Sequence, residues 1–535
     1  MLSAVSPKSE LVSSLDPLDR AAIGYLALPL VIFLAGWFEW WAALPLIACT
    51  AYALRPLIAK WPVAGTGLPV TTLQLTVAVV VGCGWTVFGG TDHLVFANAD
   101  WHIRDAVLHD LVTSPWPVGY GLLDGKETLL RAPIAYYLPA ALVGKIGGLP
   151  MAHLAIAAWT AIGATLFLLQ VLSLTPSRAS IAILVAAVVV LFSGLDIVGS
   201  LLNDGPRFRS DWNITTHLEW WAGTYQYSSM TTQLFWVPNH ALGGWLVIGL
   251  LYRDGRFTRI DTLLPILMVA AALWSPLAAI GLVPFVLWKV GAGMIQQRSL
   301  YPLHPKVWAP AFVVGLAVAA FLALDPTNIK KGLALVNDAQ ADVTMDLLRQ
   351  AQFFLLEAGI IGLAILAIRR SRDVALALVI LAVLPFVYLG PANDLVMRAS
   401  IPSLAVLAIG ACLALIGKAA DHRELRKKAL LGGLLAIGAV TSVAEFARAV
   451  VLPAWPINMR ATLIGASCGG FAPHYVARLS GEEIDHLLRH PNRLPLGPQG
   501  RDECDNPAFD MMWRESPMEI EKKKKKGLRP LFSVK

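Results

Sequence analysis

Charge is scarce in this chain. Lys, Arg, Asp and Glu together make up 15% of its 535 residues, where ordinary soluble domains carry roughly a quarter. That shortage excludes a soluble enzyme hung on one membrane anchor. Hydrophobic residues at 56% exclude a disordered chain. Cysteine is scarce too, with five in all. Cys49, Cys83 and Cys412 fall in apolar stretches and read as small core residues. Cys468 and Cys504 share the polar tail and could pair if that tail lies outside. The first apolar stretch follows about twenty mixed-charge residues and lacks a small-residue cleavage site, so no cleavable leader is expected. No repeat of fixed period is present, and no Gly-rich loop of the kind that cradles nucleotide phosphates.

What is abundant is apolar sequence in blocks of about 17–25 residues, the length that crosses a bilayer core. The expected fold is an all-α polytopic membrane protein, because a spanning chain must satisfy its backbone internally. Thirteen spans are read, at 21–38, 41–55, 70–90, 151–174, 180–201, 232–252, 262–277, 278–292, 307–324, 351–368, 374–390, 400–417 and 428–447. The apolar segment 132–150 is left out. It contains Pro133, Pro139 and Lys145, and counting it would put Arg253, Arg256, Arg259, Arg369, Arg370 and Arg372 outside, against the positive-inside rule. It reads instead as a juxtamembrane or re-entrant helix.

The resulting organisation has a cytoplasmic N-terminus (1–20), a membrane domain (21–447) and a polar C-terminal tail (448–535) expected in the periplasm. The outer loops are 91–150, 202–231, 325–350 and 391–399. The lysines at 522–526 oppose an outside tail, but long segments cross largely regardless of charge. The net charge of +7 reads as inside loops and a basic tail, and no nucleic-acid partner is expected.

Polar residues gather in the outer loops, so a site is sought there. In the stretch 98–111, Ile103, Val107 and Leu111 recur at i, i+4, i+8, the stripe of an amphipathic helix. Such a helix would lie on the membrane surface. Asp100 opens it, and a carboxylate above the bilayer can take a proton from an acceptor hydroxyl or amine. Asp100 is equally a good helix cap, and Asp100–Arg104 an ordinary i, i+4 pair. Farther on, Arg131 precedes Pro133, Tyr136 and Tyr137. Its guanidinium could fork onto a phosphate at headgroup level or snorkel beside interfacial tyrosines.

The second loop follows Asp196, a carboxylate near the membrane plane and therefore a functional candidate. Trp220, Trp221 and Tyr225 could stack on a sugar ring or simply form an aromatic belt. Glu219, Gln226, Asn239 and His240 among them favour a polar cavity. His240 could hold a divalent metal with Asp or Glu, although no spacing is diagnostic. In the third loop Lys330 and Lys331 could bind phosphate as point charges or sit on a solvated face. In the fourth, Asp394 and Arg398 form an i, i+4 pair that either caps the next span or holds a guanidinium for phosphate.

The order of these pieces resembles the GT-C superfamily of membrane glycosyltransferases that use polyprenyl-phosphate sugars. It is similar in particular to lipid A aminoarabinose transferases and protein O-mannosyltransferases. In that family an acidic residue opens the first large outer loop ahead of an amphipathic helix, as Asp100 does here. A basic–Pro–aromatic juxtamembrane helix follows, and Arg131-Ala-Pro-Ile-Ala-Tyr-Tyr137 looks like it. A further Asp comes after two more spans, where Asp196 stands. The chain departs from the pattern in having three spans before the loop and Trp101 beside the acidic residue.

The resemblance implies transfer of a sugar from a polyprenyl-phosphate donor to an envelope lipid, glycan or protein at the outer face of a bacterial inner membrane. Asp100 would be the base. Arg131 and Arg398, with Arg104 and Lys126 nearby in sequence, would hold the lipid phosphate. Asp196 and Glu219 would orient the acceptor or bind a divalent metal, in a site that also holds Trp220, Trp221, Tyr225, His240 and His102. Two other readings stay open: a transporter or flippase of a lipid-linked substrate, and a non-catalytic scaffold for envelope-polymer assembly with the tail as its docking surface.

Overall fold

The computed structural model describes residues 15–59, 68–123, 125–205, 213–254, 262–298, 303–325, 331–333, 343–390, 393–467, 475–479 and 486–493. The described residues are 72% helical, and eight helices among them are long and apolar enough to cross a membrane: Pro17–Trp37, Leu138–Leu172, Ala179–Asn203, Pro276–Gln296, Pro305–Leu322, Thr344–Ile368, Asp394–Leu415 and His422–Val451. Trp40–Ala53, Thr72–Phe88 and Leu264–Trp274 are shorter apolar helices. Large apolar side chains such as Val80, Leu287, Phe312 and Leu430 point outward, as they do where lipid is the solvent. Cys83 is among the outward-facing residues rather than in the core. This is an all-α integral membrane protein.

Local signals set the helix ends. Asp16 accepts from the backbone of Leu18 and Asp19, opening Pro17–Trp37. Thr71 and Gln74 form a capping box at Thr72–Phe88, and the Gln74 amide also donates to the Leu172 carbonyl at 2.9 Å. Ser275 caps Pro276–Gln297 directly after Leu264–Trp274 ends.

Two breaks bear on the expected spans: the one at Gly148 divides 132–150 from 151–174 as read from the sequence, and the one near Pro385 shortens 374–390. Helix Leu138–Leu172 contains Gly148 at φ 80°. A Cβ placed on Gly144 would lie 2.7 Å from that of Ala152. Residues eight apart in a straight helix are about 12 Å apart, so the chain doubles back at Gly148 into two separate helices. The expected span 374–390 is helical only over Arg372–Val383. Pro385 cannot donate to the helix ladder, and Val387–Leu389 instead forms a strand antiparallel to Lys331–Leu333.

One end of the bundle is tied by Arg253, which ion-pairs with Asp16, donates to Asp19 at 2.7 Å and reaches Ser173. The start of Pro17–Trp37 and the end of Pro238–Arg253 therefore lie at one end of the bundle. At the opposite face, Lys126–Leu130 is the centre of a small sheet. It pairs antiparallel with Leu122–Leu123 on one side and with Val476–Arg478 on the other. Val118–Gly119 runs parallel to Asn492–Arg493. The described parts of the tail thus complete the first loop.

Candidate functional site

Helix Asp100–Thr113 is set by its first turn. Asn98 accepts from the Asp100 backbone at 3.0 Å and donates to the Phe235 carbonyl at 2.7 Å, where Trp101 also donates at 2.9 Å. The helix does not lie on a surface with one apolar stripe. Trp101, Arg104, Asp105, His109 and Asp110 are buried along with the apolar positions. The reason is that the segment after residue 451 packs over its polar side. The Leu463 backbone donates to Asp110 at 2.9 Å, and Trp455 donates to the Ala97 carbonyl at 2.8 Å.

Arg104 is almost fully buried and donates to Asp100 at 2.8 Å and to Asn239 at 2.7 Å. Asp100 keeps 32% of its side chain exposed, so a reacting group can reach its carboxylate. Burial opposes the Arg104 charge, but Tyr137 and Asp100 beside it hold the guanidinium firmly charged. Asp394 and Arg398 form a second close ion pair, both about one-fifth exposed. Tyr475 stands within electrostatic reach of both pairs; burial raises its pKa and Arg104 lowers it. His240 neighbours Arg398 and Arg104 and bonds through Nδ1 to Ser275 at 2.8 Å. Two guanidiniums make this a setting for an anion. Asp100, Arg104, Arg398 and His240 are therefore brought together. Asn239, Asp394 and Tyr475 complete the group.

Arg131 turns elsewhere. Its backbone donates to the Tyr475 carbonyl at 2.7 Å, but its guanidinium bonds to the Leu322 carbonyl at 3.1 Å. There burial lowers its pKa and Asp325 raises it. Arg478 also holds Asp325, at 2.8 Å. Arg131 thus closes the end of Pro305–Leu322. Lys126 is exposed at a strand start. His102 is half-buried beside the Ala466 carbonyl, and burial lowers its pKa.

A second polar cluster surrounds Asp196. This buried carboxylate accepts from Ser193 and Thr441, each at 2.8 Å, and lies against Glu357. Glu357 sits in a π-helical turn, Leu355–Gly359, and accepts from Trp221 at 2.6 Å. Glu219 accepts from Gln226 and from the Ser229 backbone, each at 2.8 Å, and burial together with nearby Asp196 pushes its carboxyl up. Glu445 ion-pairs with Arg448 and accepts from Trp236 at 3.0 Å. Next to Glu445, His217 is buried, which lowers its pKa to about 4. Trp221 and Tyr225 are turned inward against Phe353. Trp220 stacks on His217 and is 41% exposed; it is the residue of the three that offers a ring face.

Sequence reasoning missed Glu357, Glu445 and Arg448. The signal was there for the two acids, since Glu357 and Glu445 are charges inside expected apolar spans, and Arg448 directly follows the last of them. Lys330, Cys468 and Cys504 lie outside the described residues, and Lys331 pairs in a strand with Leu389. Compared with family models, curated proteins and solved structures, the chain matches none.

Proposed function

We propose that this protein is a GT-C-type glycosyltransferase that moves a sugar from a polyprenyl phosphate to an envelope acceptor. The observation that carries the reading is the meeting of two Asp–Arg pairs, Asp100–Arg104 and Asp394–Arg398, around Tyr475 and His240. One carboxylate is accessible and the guanidiniums are held in place by hydrogen bonds. In the reaction the acceptor oxygen bonds to the anomeric carbon of the sugar. The bond from that carbon to the phosphate oxygen breaks, and Asp100 takes the acceptor proton. The charge left on the lipid phosphate is met by Arg398 and Arg104. Trp220 offers a face for the acceptor or its sugar, while Asp196 and Glu219 brace the second loop. In this reading thirteen segments cross a bacterial inner membrane, with the N-terminus inside and this site at the outer face. The test is sugar release from a synthetic polyprenyl-phosphate sugar by purified protein, wild type against Asp100→Asn. Loss of turnover in a folded variant supports the reading; unchanged turnover defeats it.

A second reading, transport of a lipid-linked substrate, is favoured by a different observation. Asp196 and Glu357 face each other within membrane-spanning helices, and intramembrane carboxylates often mark proton or ion paths. Reconstituted vesicles distinguish the two. Transport would give substrate flux that Asp196→Asn abolishes and Asp100→Asn spares.

A further inference from the structure

His93, Asp105 and His153 come from three separate elements: the loop after Thr72–Phe88, the first-loop helix, and the second half of the helix broken at Gly148. All three are buried, and one ligand atom of each lies within 4.8 Å of the others. His93 Nε2 is 2.8 Å from Asp105 Oδ2, and His153 Nδ1 is 3.9 Å from Asp105 Oδ1. A tetrahedral zinc with bonds of about 2.1 Å separates its ligand atoms by about 3.4 Å, a value these two distances straddle.

The far nitrogens are already committed. His93 Nδ1 faces the Trp455 carbonyl at 3.0 Å, and His153 Nε2 faces the Asn458 carbonyl at 3.4 Å. A carbonyl accepts, so both far nitrogens carry a proton, and in the neutral rings both near nitrogens present lone pairs. Those lone pairs point at a carboxylate. The four near atoms, His93 Nε2, His153 Nδ1 and both Asp105 oxygens, are buried, and among the described residues their only polar contacts are with one another. The buried Asp105 charge calls for a positive centre beside it, supplied either by a proton on His93 or by a cation held among the three side chains. Imidazoles that donate their outer N–H to main-chain carbonyls are the usual support of metal-binding histidines. His93 is also held at φ 59°, a left-handed conformation uncommon for a residue with a side chain.

We infer that His93, Asp105 and His153 bind one divalent cation of the zinc class. The cation clamps the first-loop helix to the Gly148-broken helix, one and a half turns from Asp100, and leaves its fourth position to water. This inference is independent of the proposed reaction. It adds a site at residues that sequence spacing could not select, away from His240.

The test uses full-length protein purified in detergent without a polyhistidine tag, with Zn2+ and Co2+ as probes. Metal analysis should find about one zinc per chain, and His153→Gln should hold at least tenfold less. Chelation of the wild type should lower its unfolding temperature, and added Zn2+ should restore it. Co2+ loaded into stripped wild type should give visible ligand-field bands. Zinc retained equally by His153→Gln overturns the inference. So does a wild type that gives neither bound zinc nor Co2+ bands. If His153→Gln fails to fold, the stripping, restoration and Co2+ spectrum of the wild type decide alone.

Discussion

Asp100→Asn is the perturbation that separates chemistry from structure. In the wild type the Asp100 carboxylate is one-third exposed and holds the buried Arg104 at 2.8 Å. Removing one partner of a fully buried ion pair costs about 3–5 kcal/mol, but three features reduce that figure here. The carboxylate is partly solvated, the asparagine keeps an oxygen acceptor, and Arg104 retains Asn239 at 2.7 Å. What is lost is the charge assistance of one hydrogen bond, about 1 kcal/mol. In a chain of 535 residues that lowers the unfolding temperature by only about 1 °C. Under the proposed reaction the catalytic loss is larger. A general base contributes about 10²–10⁴-fold, a barrier change of roughly 3–5 kcal/mol. Sugar release and thermal unfolding, measured on the same detergent preparation, should therefore diverge: turnover nearly gone, unfolding temperature nearly kept. If turnover stays within about threefold of wild type while the unfolding temperature drops by about 1 °C or more, Asp100 is only the anchor of Arg104. The assignment of the base would then be wrong.

Three further outcomes are expected. A Cβ on Gly438 would lie 2.7 Å from the carbonyl oxygens of Ser193 and Gly194; Gly438→Ala should thus destabilise by about 1–3 kcal/mol, and an unchanged unfolding temperature would show that these helices separate freely. Thr441→Val strips a donor from buried Asp196 and should cost about 1–3 kcal/mol, whereas Thr441→Ser should restore most of it; equal effects would point to packing instead. Glu219 is pushed up to about 8 by burial first and Asp196 second. Its folded value exceeds its unfolded one, so its contribution to stability is full below about pH 4.5 and is lost as pH rises through about 8. Unfolding temperatures from pH 5 to 9 should fall less steeply for Glu219→Gln than for wild type, and parallel slopes would contradict the buried, protonated carboxyl.

The sequence carried the helical membrane architecture because apolar block length is a local property. It also carried each Asp–Arg pair, since both partners sit one helical turn apart at i, i+4. It could not carry their meeting, which depends on Tyr475 and on helices far apart in the chain. The stripe of Ile103, Val107 and Leu111 misled for a related reason. Periodicity assumes that the polar side of a helix meets water, and here Asp110 and its neighbours are covered by the segment around Leu463. Glu357 and Glu445 were readable as lone acids in apolar spans, but the crowding of acids around Asp196 was not. His93, Asp105 and His153 stand at no recognised ligand spacing; their convergence comes from three-dimensional packing. Pro385 was the one visible warning that the span at 374–390 would end early.

Val476–Arg478 pairs with Lys126–Leu130 across roughly 350 residues of intervening chain, a separation at which closure is slow and comes late. During synthesis the first loop must leave the translocation machinery long before its partner strand has been made. Until then the edge of Lys126–Leu130 is open to chaperones or to wrong pairings. A ribosome that stalls before Tyr475 would release a chain that has both Asp–Arg pairs but no phenol between them. Assembly of this site thus requires that synthesis has passed Arg478, and quality control in the membrane could recognise shorter copies by that unpaired edge.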